Sequence, residues 1–231
     1  MSEPKRLLLV GATGLIGRSV IALAPHVPSM SLVALARSEM KLPRGARMEM
    51  LLAEPSGWKD AVGAISPDAV ICALGTTWAK AGSEDAFRAV DQELVLRVAR
   101  AAREAGAGTF CTVSSVGADA QSKAFYLRVK GEVEKELQTL KFGRLDILRP
   151  GLLRGHREGD RRFLERLGIA AAPVTNLLLH GERRKYRAIR AETVAKAALQ
   201  CVQEKARGRF VHENDGIERA ATRFDRALAE G

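Results

Sequence analysis

Over the first 150 residues, short apolar runs alternate with longer segments whose apolar positions recur every three or four residues. The short runs predict strands at Arg6–Val10, Leu32–Ala36, Arg47–Leu51, Ala69–Leu74, Thr109–Val113 and Leu145–Leu148. A helix is predicted from Leu15 to about Ala24. The clearest helical segment runs from about Ser83 to Ala105, with Phe87, Val90, Leu94, Val98 and Ala101 on one face and Arg88, Glu93, Arg97 and Arg103 on others. Another runs from about Lys123 to Leu140, apolar at Tyr126, Val129, Val133, Leu137 and Leu140. Strands alternating with helices in this way predict an α/β fold, a parallel sheet covered on both faces. After Pro150 the pattern loosens: a short helix near Asp160–Leu167, a helix near Glu192–Gln203, a strand Arg209–His212 and a C-terminal helix. The expected organisation is a single domain over residues 1–231, with a dinucleotide-binding core (1–150) and a smaller basic region on the substrate side (151–231).

The first strand leads directly into Gly11-Ala-Thr-Gly14-Leu-Ile-Gly17 and then a helix. In a strand–turn–helix context each glycine has a physical role. The first makes the tight turn, the second lets backbone approach a pyrophosphate, and the third lets the helix pack on the strand, while the helix N-terminus offers N–H donors to phosphate. This points to a Rossmann-type doubly wound sheet. After the second strand, where an NAD-specific site places a carboxylate on the ribose hydroxyls, the residues are Arg37 and Ser38. A guanidinium suits a 2'-phosphate, so NADP(H) is favoured over NAD(H). Arg18 either adds charge to that pocket or is an exposed helix residue. The fourth strand ends in small residues, Leu74-Gly75-Thr76-Thr77, which leave room at the crevice where open α/β sheets bind ligands.

Candidate chemistry lies after the fifth strand: Ser114-Ser115, then Tyr126 and Lys130 on the following helix. Residues four apart share a helical face, so an ammonium there can stabilise a phenolate whose reference pKa is about 10. With 11 lysines in 231 residues, a given tyrosine has a lysine at that spacing by chance in about 5% of cases. Ser115 would orient a substrate oxygen, with Ser114 the lesser candidate. The string Arg149-Pro150-Gly151-Leu152-Leu153 either walls the nicotinamide or is only the strand's exit.

Two further strings, Ala73-Leu-Gly-Thr-Thr-Trp-Ala-Lys-Ala-Gly82 and Ser114-Ser-Val-Gly-Ala-Asp119 followed by Tyr126-Leu-Arg-Val-Lys-Gly-Glu-Val-Glu134, carry a resemblance. From about residue 5 to residue 165 the chain resembles the atypical short-chain dehydrogenases/reductases, and within them the Tat-interacting-protein group of NADPH-binding oxidoreductases. The resemblance implies Thr13, Gly14, Leu15 and Ile16 at the pyrophosphate, Arg37 at the 2'-phosphate and Leu74 and Gly75 near the ribose. It implies Tyr126 as proton donor/acceptor and Lys130 on the nicotinamide ribose, and it adds Leu153 and Arg161 as cofactor positions. Ser38 stands where that group usually has a second basic residue. The activity expected is NADP(H)-dependent oxidoreduction of a small-molecule carbonyl or alcohol. The alternative is an NADP(H)-binding regulator that binds a protein partner with little or no turnover.

Composition refines the partners. The net charge is +10, from 37 basic and 27 acidic residues, but residues 1–120 carry 13 and 12 of them and residues 121–231 carry 24 and 15. The excess therefore sits on the substrate-side half, consistent with a solvated basic face or an anionic ligand. Residues 144–190 hold 12 basic and 5 acidic side chains but no interleaved aromatics or reader motif, which disfavours nucleic acid. His156 and His180 in this stretch read as surface histidines. Cys72, Cys111 and Cys201 are far apart, with no CxxC pair, so neither a disulfide framework nor a metal site is expected. The charge-free stretch 167–179 is too short to span a bilayer, and the run Leu7–Val10 is too short for a signal peptide. No membrane association and a cytoplasmic location are expected.

Overall fold

The computed structural model describes residues 3–40, 42, 48–154 and 186–230. Seven strands form one parallel sheet in the order β3-β2-β1-β4-β5-β6-β9. They are β1 (Lys5–Val10), β2 (Met30–Ala36), β3 (Met48–Leu52), β4 (Ala69–Cys72), β5 (Thr109–Val113), β6 (Arg144–Arg149) and β9 (Gly208–Glu213). Two short strands, β7 (Leu153–Arg154) and β8 (Ile189–Arg190), pair separately. Residues Leu7–Val10 of β1 and all of β4 are apolar and buried because both faces of the sheet are covered. Along β1, Leu7 and Leu9 enter one core, and Leu8 and Val10 the other. The first core lies under α1 (Leu15–Leu23), α7 (Ala191–Cys201) and α8 (Asn214–Glu230); the second lies under α2 (Trp58–Ile65), α5 (Val95–Glu104) and α6 (Phe125–Thr139). No described helix is long and apolar enough to cross a membrane.

The expected doubly wound sheet is present, with two local differences. The segment expected as one helix from Ser83 to Ala105 is α4 (Glu84–Arg88), a π-helical stretch Ala89–Leu94 and then α5. It is preceded by a one-turn helix, α3 (Trp78–Ala81), that apolar periodicity is too short to mark. Strand β4 stops at Cys72, two residues before the expected end, and beyond it Thr76 N–H turns to a carboxylate of the π-helical stretch. The expected helix at Asp160–Leu167, with Arg161, His156 and His180, lies outside the described residues.

The sheet is completed by a strand from the far C-terminal part of the chain, β9, which pairs with β6. The link between β6 and β7 is fixed by Asn214 at the start of α8, which is 2% exposed. Its Oδ1 accepts from Gly151 N–H at 2.8 Å and its Nδ2 donates to the Arg187 carbonyl at 2.5 Å. One buried amide thus ties the exit of β6 to the entry of β8. An Asn214→Ala variant leaves two backbone groups without these partners, so equilibrium urea unfolding should show it about 2–4 kcal/mol less stable. A loss under about 0.5 kcal/mol, in the range of an ordinary surface substitution, would contradict this role.

Candidate active site

The carboxyl ends of β1, β2, β4 and β5 lie side by side, and every sequence-predicted site residue that is described is at or near this edge except Leu153, on β7. Gly11 leaves β1 at φ +90°, a conformation that L side chains rarely adopt. A Cβ there would lie 2.5 Å from the Ala73 carbonyl group, so only glycine lets the β1 turn cross against the end of β4. Gly14 N–H closes the turn onto the Gly11 carbonyl at 3.0 Å, and Gly14 then caps α1 without a side chain. A Cβ at Gly17 would come within 2.2 Å of the Gly11 carbonyl oxygen, so this third glycine seats α1 on the turn. The result is a bare backbone cradle at a helix N-terminus, with Thr13 exposed and Leu15 half-buried beside buried Ile16. Its chemistry fits a dinucleotide pyrophosphate. Arg18 folds back so that its Nε donates to the Thr13 carbonyl at 3.2 Å, which brings a positive charge to the same loop. Arg37 is exposed just past the end of β2, in the register next to β1.

The second half of the site joins the loop after β5 to α6. Asp119 N–H donates to the Leu127 carbonyl at 3.1 Å, and a Cβ at Gly131 would sit 2.1 Å from Ala120 N. Gly131 therefore lets this loop lie directly on the helix, which brings the strand end carrying Ser114 and Ser115 to the helix carrying Tyr126 and Lys130. The two serines differ. Ser114 is buried and its hydroxyl donates to Glu134 Oε1, while Glu134 is forked by Arg149 with Nε–Oε1 at 3.0 Å. Ser115 is half-buried, with only a 3.3 Å contact from its hydroxyl to the Val116 carbonyl. Tyr126 is 42% exposed, its ring edge-to-face with buried Phe87 at 5.7 Å.

Lys130 is buried, and its Nζ lies 2.7 Å from Asp91 Oδ1, off the direction of an aligned hydrogen bond. The other Asp91 oxygen accepts from Thr76 N–H at 2.7 Å. A single carboxylate in the π-helical stretch thereby connects the end of β4, beside Leu74 and Gly75, to the lysine on α6. Burial pulls the Lys130 ammonium toward neutrality, but the charge of Asp91 and then that of Tyr126 outweigh it, and its pKa stands above the ordinary lysine value. The lysine is held charged under the tyrosine. A void of about 10 Å³, room for one water, lies among Asp91, Thr112, Ser114, Lys130 and Glu134.

Asp91 was missed because the predicted apolar stripe passes through Val90. In the structure the buried face runs Phe87, Asp91, Leu94, Val95 and Val98, with Val90 only half-buried. The available signal was an acid four residues after Phe87 and four before Val95, a core position on a helix. The π turn supplies the shift, as such bulges often do at functional sites. Leu153 is placed in β7 against the first core, and Arg161 lies outside the described residues.

A family described as NAD(P)H-binding matches residues 11–205. Protein FMP52-1, mitochondrial, of Scheffersomyces stipitis is 33% identical over 201 residues, covering 85% of this chain and 87% of that protein. Protein FMP52, mitochondrial, of Saccharomyces cerevisiae is 35% identical over 158 residues, covering 67% and 68%. In fold, the chain is similar to the Bordetella bronchiseptica enzyme WbmH in complex with NAD+ (TM-score 0.67, 13% identity, 98% of this chain and 82% of that one). It is also similar to Helicobacter pylori ADP-L-glycero-D-manno-heptose-6-epimerase (TM-score 0.68, 13% identity, 98% and 83%). Two expectations are corrected. The relatives named here are FMP52 proteins rather than members of the Tat-interacting-protein group. The expected cytoplasmic location is overturned by relatives that are named mitochondrial; it rested on a missing signal-peptide pattern, which carries no information about other targeting.

The Lys130–Asp91 pair gives a direct stability test. In an Asp91→Asn variant the amide can still accept from Thr76, but the buried ammonium loses its counter-charge, and stability at pH 7 should fall by about 3 kcal/mol or more. In the wild type, a raised Lys130 pKa means its contribution is complete below the ordinary value of 10.5 and is lost only as pH rises past the folded value. In the variant the folded pKa drops below 10.5, so the unfolded chain binds more protons and stability should rise from pH 7 toward pH 10. Denaturant midpoints across this range check both; parallel pH profiles for the two proteins would contradict the assignment.

Proposed function

This chain belongs to the NAD(P)H-binding family, and from that premise we propose that it is an NADP(H)-dependent oxidoreductase of the short-chain dehydrogenase/reductase and epimerase superfamily, acting on a carbonyl/alcohol pair. The observation that carries the reading is the open Tyr126 one helical turn from a buried, charged Lys130 that Asp91 locks to the end of β4.

In this reading the turn Gly11–Gly17 and the first N–H groups of α1 hold the pyrophosphate, through Thr13, Gly14, Leu15 and Ile16, with Arg18 adding charge. Arg37 pairs with the 2'-phosphate, which is the basis for favouring NADP(H) over NAD(H). Leu74 and Gly75 lie along the ribose, and Leu153 borders the far side. When bound, the nicotinamide supplies or accepts the hydride. Tyr126 Oη moves the proton to or from the substrate oxygen, and Ser115 Oγ holds that oxygen by a hydrogen bond. Ser114 is left out of the chemistry because its hydroxyl is spent on Glu134. Lys130 binds the ribose hydroxyls and sets a fixed positive charge one helical turn from Tyr126, while Asp91 keeps it protonated and aimed. The basic excess of the C-terminal half favours an anionic substrate.

The test is NADPH oxidation against a carbonyl panel. Tyr126→Phe should lower kcat by about 100-fold or more with NADPH affinity unchanged, and equal turnover would remove the tyrosine from the mechanism. Arg37→Ala should weaken NADPH about tenfold while leaving NADH unaffected, and an equal change for both would overturn the NADP(H) preference. Tight NADPH binding with no turnover on any carbonyl would favour the cofactor-binding regulator with a protein partner.

A further inference from the structure

A second cluster of ionisable groups lies on the opposite face of the sheet, where the proposed chemistry has no use for it. Cys111 in β5 is in register with Asp146 in β6, and both are fully buried in the same layer as Cys201 at the end of α7. His212 in β9 completes the group, its Nε2 2.8 Å from Asp146 Oδ1 and 3.8 Å from Cys201 Sγ. Asp146 is also forked by Arg144, with Nε–Oδ2 at 2.6 Å and Nη2–Oδ1 at 2.9 Å. Arg144 in turn stacks over Phe210 at 4.2 Å and donates to the Ala206 carbonyl. The His212 side chain is 15% exposed and sits on the edge strand of the sheet, next to the fully buried Cys201.

The geometry rules on what this cluster can do. Thiol and carboxylate meet the same ring nitrogen, so the arrangement is not a hydrolase triad, which needs both nitrogens. Three donor groups lie within 4.8 Å of one another, but both oxygens of Asp146 are occupied by a fixed guanidinium that repels a divalent cation. A cysteine held against an imidazole, with a second cysteine in the same buried layer, is instead the arrangement of a peroxide-reactive dithiol.

We propose that Cys201 and Cys111 form a redox pair in which a hydroperoxide oxidises Cys201 and Cys111 resolves it to a disulfide tying β5 to the end of α7. The Cys201 thiolate attacks the O–O bond; the S–O bond forms, the O–O bond breaks, and the leaving alkoxide or hydroxide takes a proton from His212. Cys111 sulfur then attacks the sulfenic sulfur; the S–S bond forms, the S–O bond breaks, and hydroxide leaves as water with the Cys111 proton. Two thiols and one hydroperoxide give one disulfide, one alcohol or water, and one water. Cys111 as hydrogen-bond partner lowers the Cys201 pKa, burial raises it, the hydrogen bond and charge of His212 lower it and the charge of Asp146 raises it, for a net value of about 7. His212 is shifted the other way, to about 9: burial opposes its charge, but Asp146 and the Cys201 sulfur outweigh burial. Cys111 is held well above the usual thiol range, first by its hydrogen bond to Cys201, then by burial and the charge of Cys201. Oxidation of Cys201 to a neutral sulfenic acid removes both Cys201 effects on Cys111. Cys72, in the core of the other face, is pushed up to about 11 by burial and serves as an internal control.

The experiment is titration of the folded, full-length protein with hydrogen peroxide, followed by thiol counting and peptide mapping. Free thiols should fall from three to one, with a Cys111–Cys201 linkage and Cys72 still reduced. Cys111→Ala should give Cys201 sulfenic acid, trapped by dimedone, and no linkage. In His212→Gln the thiolate loses one of the groups that stabilise it, and the gain in nucleophilicity of the remaining thiolate offsets this only in part, so oxidation should slow severalfold. Circular dichroism confirms that each variant is folded before it is compared. Oxidation of Cys72 as fast as Cys201, a rate unchanged in His212→Gln, or stoichiometric metal in the purified protein that blocks oxidation would each overturn the proposal.

Discussion

Lys130 and Asp91 place two full charges 2.7 Å apart in the interior, on different helical segments, with side chains 7% and 1% exposed. Each would be costly to bury alone, so neither segment can shift without the other. Because the second Asp91 oxygen holds Thr76 N–H, the pair also fixes the loop that leaves β4. That loop begins at Ala73, whose carbonyl the Gly11 turn touches so closely that no Cβ fits between them. The Gly11 turn, the loop after β4 and the helix carrying Tyr126 are thus linked through one buried carboxylate.

The loop after β5 is fixed to the same helix by a different device, shape. Gly131 removes the side chain that would hold Asp119 and Ala120 away, and Ser114, Glu134 and Arg149 form a buried polar network just beneath. Of two adjacent serines, one is thereby committed to structure and the other left half-buried at the strand end. The chemistry proposed for Ser115 and Tyr126 depends on this division, because a hydroxyl already donating to a carboxylate has no proton for a substrate oxygen.

Much of the fold was legible in the sequence because its signals are local. Parallel strands buried on both faces read as unbroken apolar runs, and β5 is found at the predicted residues, Thr109–Val113. The glycine spacing and the Tyr126/Lys130 spacing are likewise short-range patterns whose partners lie within a turn or two. What was not legible depends on residues far apart in sequence. Asp91 gains its meaning only from Lys130, 39 positions later, and a π turn shifts it off the stripe that marked the helix. Cys111, Asp146, Cys201 and His212 come from three strands and a helix, so spacing gave no sign of their cluster. The choice between Ser114 and Ser115 required knowing which hydroxyl meets Glu134.

The central claim is that a permanently charged lysine is kept beneath Tyr126 by Asp91. The most direct measurement is a heteronuclear NMR titration of the Lys130 side-chain nitrogen in the folded protein. The account predicts an ammonium that stays protonated past the ordinary lysine value of 10.5. Loss of its proton between pH 7 and pH 10 would contradict it, because burial would then outweigh the Asp91 charge and the lysine would reach Tyr126 as a neutral amine.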